Sequence, residues 1–479
     1  MKGFFTTAFA ILFCYSVYAQ QPRKLTVQEC LEIAMENNLD IKNAQLDLTG
    51  NQVNLTQSKL TRLPTANVGW NYGLNWGRSI DPTTNQFITQ RINFSGLNGN
   101  SNMVLYNGLQ QYNTIRQNET NIEASQASLE KAQNDLIINI ANLFLGVILN
   151  QELVANAQYQ LDNSRTQLDR TRILVESGAL PITNQLELAS QVASNEVALV
   201  NAQNNLDISM LNLKQAMLMP TSQSIELEIP EFPDVEDPDL SVTSEAAYST
   251  AEQIMPEIKS ADLFVESAVL GVKVAEGAYF PTVSLFGGFQ TNYSDAIDQI
   301  FVGNGTSTTQ TIPTDLTTAS GEAIFLTDDI PNGEIQDFGY GDQFDENLSW
   351  NLGVNVNIPI FNGWRTRSNI QRSKIQLEQA EVNSLQARNV LRQQVETIYT
   401  NAVAASKTYS ASLRQVEALE ETFRSIENQY NLGAANFTDY QVASNNLFQA
   451  RSDLVRAKYD FVFKKKVLDL YQGKPLSFQ

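Results

Sequence analysis

The chain has 479 residues, with 32 Lys and Arg against 52 Asp and Glu, no histidine and a net charge of −20. The missing histidine excludes Ser-His-Asp and Cys-His catalysis and imidazole zinc sites, and the acidic balance excludes a nucleic-acid partner, whose phosphates demand clustered Lys and Arg. Serines and acids are dispersed, so the sequence offers no catalytic constellation, no cofactor motif and no metal-ligand cluster, and the protein reads as a non-enzyme.

Lys2 precedes an apolar stretch from Phe4 to Val17, and Val17-Tyr18-Ala19 forms a small-residue cleavage site. Residues 1–19 are therefore expected to be a signal peptide. Cys14 lies inside that stretch, but bulky Phe13 before it disfavours lipoprotein processing. Cys30 is then the only thiol of the mature chain, which forbids an intramolecular disulfide, and Leu31 and Ile33 beside it suit a buried apolar filler. Beyond the signal the longest apolar or glycine run is Leu143 to Leu149, too short for the roughly 18 residues of a membrane helix. The expectation is that no membrane helix exists and that any bilayer crossing uses a closed β-barrel.

The first structural repeat is read over residues 20–219: a helix, a β-hairpin at about 65–107, a long helix at 109–177 and a return helix at 184–217. In the hairpin Val68, Trp70, Tyr72, Leu74 and Trp76 alternate with Asn67, Gly69, Asn71, Gly73 and Asn75, giving an apolar aromatic face and an Asn/Gly face. The strand from Leu97 to Leu105 is weaker, because Gly99 and Ser101 fall on its apolar face. A soluble sandwich shows the same alternation; the almost uncharged Asn/Gly face and the Trp and Tyr opposite it suit a wet lumen and a lipid-facing girdle. The girdle candidates are Trp70, Tyr72, Trp76, Phe289, Tyr293 and Trp350.

An acidic linker at 220–240 joins a second repeat at 241–471, with a hairpin at about 282–361, a long helix at 364–432 and a return helix at 439–471, followed by a tail at 472–479. Trp350, Leu352, Val354, Val356, Ile358 and Ile360 repeat the alternation. The second hairpin carries an insertion at 294–346 holding eleven acidic residues and no Lys or Arg. This segment reads as a solvated, partly disordered extracellular loop, with a calcium site or a pore lid as the alternatives.

The two repeats are a duplication. Ile41-Lys42 and Pro64 recur as Ile258-Lys259 and Pro281 at an offset of 217, while Asn107-Gly108, Gly178 and Thr183 recur as Asn362-Gly363, Gly433 and Thr438 at an offset of 255. Each long helix would be a rod of roughly 100 Å, and each carries a seven-residue seam: Ile140, Val147, Val154, Leu161, Leu168 and Val175 in one, Val395, Ala402, Tyr409, Val416, Phe423 and Tyr430 in the other. Such a repeat means coiled-coil packing. Gly178 and Gly433 allow the turn, and Thr183 and Thr438 are the expected caps of the return helices. The fold class expected is all-α with a β-barrel: duplicated long coiled-coil helices plus four transmembrane strands per chain. Four strands leave open edges in lipid; two copies would give a plugged eight-stranded barrel, and three a twelve-stranded one with room for a lumen.

The tandem halves, the prolines before each hairpin (Pro64, Pro281), the aromatic-Asn-Gly steps (Tyr106-Asn107-Gly108, Phe361-Asn362-Gly363) and the glycine-turned coiled coils resemble the TolC-like outer-membrane efflux channels over essentially the whole mature chain. The resemblance implies a homotrimer in the cell outer membrane: a twelve-stranded barrel in its lipid, a helical α-barrel in the periplasm, and a mixed α/β belt to which the 220–240 linker contributes. It also implies a passive exit duct for a tripartite efflux pump or a type I secretion system. The partners implied are a periplasmic adaptor (membrane fusion) protein, docking at Ser177, Gly178, Thr183, Leu432, Gly433 and Thr438, and an inner-membrane transporter. The entrance gate implied is Tyr430 and Asp439, with Asn184 standing 255 residues before Asp439; Ala435 and Val442 occupy the places of the family's arginine and second aspartate. Coiled-coil packing accounts for Tyr430 better than a gate does, and a helix N-terminus accounts equally for Asp439. The competing reading is an exported coiled-coil structural or adhesin protein.

Overall fold

The computed structural model describes residues 23–80, 85–89, 91–228 and 243–474. The expected signal peptide, most of the acidic linker and residues 475–479 of the tail lie outside the described residues. The chain divides into two compact units, one made of residues 1–53, 119–267 and 376–479, the other of residues 54–118 and 268–375.

The first unit is helical. A short parallel pair, β1 (Arg23–Leu25) with β6 (Ile225–Leu227), ties the beginning of the described chain to the first part of the 220–240 linker. Helix α1 (Val27–Asn37) opens with a capping box: Glu29 N donates to Thr26 Oγ1 at 3.2 Å, and Thr26 N donates to Glu29 Oε2 at 2.9 Å. A break at Asn38 separates it from α2 (Leu39–Leu60). In the second repeat α5 (Ser244–Ile254) is capped by Thr243, and α6 (Pro256–Gly277) starts on a proline whose missing N–H is no loss at a first helical position.

The long helices are α3 (Gln110–Glu176) and α8 (Arg365–Asn431), each of 67 residues; the return helices are α4 (Ile182–Ala216) and α9 (Phe437–Tyr471), each of 35. Every residue of both seams is buried or half-buried. One core joins Ile140, Phe144, Val147 and Ile148 of α3 to Leu25, Cys30 and Leu213. A second joins Leu391, Val395 and Ala402 of α8 to Tyr248, Ala251 and Tyr471. Burial, and secondarily the Glu29 charge, pushes the Cys30 thiol up to about 12, so it packs and does not react. Arg388 clamps α8 to α5 and α6, donating to Glu252 Oε1 at 3.1 Å and to both carboxylate oxygens of Asp262 at 2.9 Å. That guanidinium is the main reason the Asp262 pKa falls below its ordinary value.

Averaged over eighteen residues, part of α3 is long and apolar enough to match a membrane helix by length and composition alone, although its longest uninterrupted apolar run is short. Isolated Asn and Gln break the run without lowering the average much. In the structure the same region supplies Ile140, Ala141, Phe144 and Ile148, all fully buried core residues.

The second unit holds the remaining strands. Antiparallel β2 (Thr65–Asn75), β5 (Ile92–Asn107), β7 (Thr282–Ser294) and β10 (Ser349–Asn357) form one sheet in the order β10-β7-β5-β2. The two hairpins of the duplication thus join through β5 and β7, leaving β2 and β10 as edges. Strand β10 stops before Ile358 and Ile360, because Pro359 lacks the N–H a ladder needs. A small ribbon, β3 (Arg78–Ile80) with β4 (Phe87–Thr89), interrupts the first hairpin.

The acidic insertion is not a loop. It forms a ribbon of its own, β8 (Gln299–Thr317) with β9 (Ala323–Asp337), followed by α7 (Tyr340–Glu346). Ten of the twenty-eight paired residues are threonine or isoleucine, whose branched side chains favour extended backbone over coil.

Candidate functional site

The sheet has two unlike faces. Register places Trp70, Tyr72, Leu97, Phe289, Trp350, Leu352 and Val354 on one side, with Asn67, Asn71, Asn98, Asn100, Asn351 and Asn355 on the other. None of the residues of β2, β5, β7 and β10 is charged. An uncharged strand surface with one aromatic face is suited to lipid, where a charge is expensive.

Of the expected girdle, Trp70, Tyr72, Trp76 and Trp350 are exposed, at 66%, 60%, 71% and 74%. Trp76 lies just beyond the end of β2. Phe289 is half-buried, with its ring 5.3 Å from that of Trp350 and lying across Gly99. Tyr293 is half-buried beneath Tyr340 of α7, ring to ring at 4.7 Å. Trp70 Nε1 donates to Ser95 Oγ at 3.0 Å, and that hydroxyl meets Tyr340 Oη at 3.1 Å. Helix α7 therefore rests on the aromatic face, a packing that nothing in the sequence alone had signalled.

The amide face is flattened by glycine. A methyl group at Gly73 would lie 2.6 Å from Phe94 Cζ, and one at Gly353 would lie 2.6 Å from Phe286 Cζ. Amides take the same position elsewhere: Asn98 Oδ1 lies 3.1 Å from such a methyl at Gly69, Asn71 Oδ1 2.8 Å at Gly96, and Asn351 Oδ1 3.2 Å at Gly288. Each larger side chain thus lies down over a neighbouring strand instead of standing up, which leaves the face smooth.

At the join with the helices, Gly108 and Leu109 adopt φ of +68° and +62°, and Gly363 and Trp364 both +63°. Gly108 has no alternative, since a Cβ there would lie 2.1 Å from Gly277 O. The left-handed Leu109 and Trp364 each cost roughly 1–2 kcal/mol, held against that cost by the strand before and the helix after them.

The helical turns are the expected adaptor-contacting residues. Both are built by one hydrogen-bond pattern: Gly178 N to Val175 O at 2.9 Å and Ala179 N to Leu174 O at 2.8 Å, then Gly433 N to Tyr430 O at 3.0 Å and Ala434 N to Gln429 O at 2.8 Å. Gly178 and Gly433, at φ of +79° and +72°, close each helix in the manner of a Schellman motif. Ser177, Gly178, Thr183, Leu432, Gly433 and Thr438 are all exposed, Leu432 at 85%. The caps differ from expectation. Pro181 and Asn436 occupy the N-cap positions, so Thr183 and Thr438 are already helical, and Asn436 Oδ1 accepts from Asp439 N at 2.8 Å.

The three expected gate residues have distinct local settings within one chain. Tyr430 packs on Tyr440 and Phe437, with rings 5.0 and 6.2 Å apart, in a cluster with Leu188 and Leu168. Burial, then the Glu427 charge, pushes the Tyr440 hydroxyl up to about 12. Asp439 is exposed in the first turn of α9, where a negative charge complements the helix dipole. Asn184 is half-buried in the first turn of α4, its backbone N–H bonded to Pro181 O at 3.2 Å. Among the described residues no group of three or more Cys, Asp or Glu converges as a metal site.

Residues 30–217 and 247–472 match the family described as outer membrane efflux protein. The chain is 21% identical over 442 residues to the outer membrane efflux protein BepC of Brucella suis, covering 91% of this chain and 83% of BepC. It is 22% identical to Escherichia coli K12 TolC over 338 residues, which is 70% of this chain and 60% of TolC. The fold is similar to that of CusC, with a TM-score of 0.73 at 17% identity covering 96% of each chain, and to that of VceC from Vibrio cholerae, with a TM-score of 0.72 at 14% identity covering 94% of this chain and 97% of VceC.

Proposed function

Because the chain belongs to the outer membrane efflux protein family and is an outer-membrane protein, we propose that three copies close their sheets into a twelve-stranded barrel whose lumen is the exit duct of a tripartite pump or a type I secretion system. The observation that carries this reading is the sheet itself: it ends on two edge strands, β2 and β10, and no charge lies on either face. Edges cannot stay open in lipid, where each unpaired backbone group costs several kcal/mol. Pairing β2 of one copy with β10 of the next removes every edge. The aromatic face then meets lipid and the Asn/Gly face meets water.

The helices form the periplasmic conduit in this reading. A periplasmic adaptor docks at the two turns, Ser177 to Thr183 and Leu432 to Thr438, and an inner-membrane transporter supplies the cargo. The matched geometry of the turns supports this, since duplicated tips give an adaptor two similar footholds per chain. Asp439 contributes a ring of three carboxylates at the entrance.

The test is electrical. Purified protein in planar bilayers is expected to conduct as a heat-dissociable trimer, and Asp439→Ala is expected to weaken block by multivalent cations applied from the helical side. A monomer without conductance sinks the duct, and an unaltered block removes Asp439 from the entrance.

A further inference from the structure

Nearly all the larger side chains of the amide face are amides; two are phenyl rings. Phe94 lies over Gly73 and Phe286 over Gly353, each reaching across to the neighbouring strand. The remaining apolar side chains there are Ile92, which is buried, and half-buried Val104. Filling the space over a glycine does not require a ring, because Asn71, Asn98 and Asn351 do the same over Gly96, Gly69 and Gly288. What a phenyl adds is an apolar, polarizable contact in a wall of hydrogen-bonding amides. Phe286 is 40% exposed, so its ring is presented to whatever occupies that side.

The two rings stand at different depths. On β7, Phe94 pairs at the level of Ser294 and Phe286 pairs with Asn102, so they are eight residues apart, or roughly 27 Å along the strand. No charge lies between them on any of the four strands.

Resting on the duct reading, we infer that the barrel section is blind to cargo charge and that Phe94 and Phe286 form two levels of aromatic contact sites for planar aromatic or apolar parts of small amphiphilic solutes. The amides supply hydrogen bonds to any polar group in either direction, since each offers both donors and an acceptor. The rings retain flat apolar groups by stacking or edge-to-face contact. Ionic selection then belongs to the charged helical section, and aromatic content sets residence in the barrel.

Single-channel dwell times test this with two charge-matched pairs added from the strand side: tryptophanamide against leucinamide, both cationic, and indole-3-acetate against 4-methylvalerate, both anionic. In the native trimer the aromatic member of each pair is expected to dwell roughly two- to tenfold longer, whatever its charge. Phe94→Leu/Phe286→Leu, which keeps volume over both glycines, is expected to erase that preference. The proposal is overturned if the native channel holds both members of each pair equally, if only the cationic pair shows a preference, or if the double variant conducts with the aromatic preference intact. A native protein that fails to conduct at all sinks the duct reading and is distinct from each of these results.

Discussion

The four-stranded sheet and the β8–β9 ribbon are both antiparallel, both made of long strands and contiguous in the chain, yet they are built for different solvents. The sheet carries no charged residue and keeps its Trp and Tyr side chains on one face and most of its amides on the other. The ribbon and its turn carry Asp315, Glu322, Asp328, Asp329, Glu334 and Asp337, no Lys or Arg, and the ribbon mixes polar with apolar on both faces: Phe301 opposite Ile335 but Thr309 opposite Asp329 on one, Ile312 opposite Leu326 but Gln310 opposite Asp328 on the other. Strand pairing by itself therefore says nothing about surroundings; what a strand leaves off its faces does. A ribbon of two strands is marginal in water unless its base is held, and here it is held by α7.

The largest effect should come from placing the same charge in each region. Leu352 is 80% exposed on the aromatic face and Ile335 is 70% exposed on the ribbon, so burial within the chain does not separate them. Leu352→Arg is expected to cost about 2–4 kcal/mol and to abolish insertion into liposomes, because an arginine near mid-bilayer loses its water. Ile335→Arg is expected to shift stability by no more than about 0.5 kcal/mol, as a surface substitution does. Equal effects in a urea-titrated insertion assay would mean that both regions face water, and the barrel would be lost with them.

A smaller effect should follow from cutting the ribbon's anchor. Gln343 of α7 is fully buried; its Nε2 donates to Ser294 O at 3.1 Å, Ile297 O at 2.8 Å and Phe338 O at 2.9 Å, and its Oε1 accepts from Ser294 N at 2.9 Å. Gln343→Leu removes those four hydrogen bonds and is expected to cost about 2 kcal/mol. Hydrogen exchange should quicken in residues 299–337 while the sheet amides keep their protection. Loss of protection in both regions would mean that ribbon and sheet fold as one cooperative piece.

These regions were unequally legible in the sequence. Alternation in β2 and β10 was plain because each strand carries its own pattern of Trp, Val and Asn. Strand β5 read as weak because Gly99 and Ser101 sit on its apolar face; the missing bulk at Gly99 comes from Phe289, a residue of β7 far away in the chain. The same non-locality hid Phe94 and Phe286, whose roles depend on the glycines opposite. The ribbon read as a loop because Thr, Gly and Asp show no period, although pairing with a distant strand makes them β. Helix turns were legible to the glycine, but the caps were not. Asn436 stands three residues before Asp439, a signal that was present, whereas Pro181 caps by conformation without a side-chain bond.

The smallest effect separates the regions by space instead of charge. A methyl group at Gly288 of β7 would lie 2.7 Å from Gly99 O, a backbone atom of the paired strand, and 3.2 Å from Asn351 Oδ1. Since a carbonyl within a ladder cannot move aside without breaking that ladder, Gly288→Ala is expected to destabilise the sheet by about 1 kcal/mol. At Gly303 of the ribbon the nearest atom to such a methyl is Asn332 O at 3.8 Å, ordinary contact. Gly303→Ala restricts the unfolded chain without strain and is expected to leave stability unchanged or raise it by up to about 1 kcal/mol. Heat dissociation of the oligomer measures the first, and the exchange rate of ribbon amides the second. If both substitutions weaken their regions alike, glycine in the sheet is not placed for close strand approach, and the smooth amide face needs another cause.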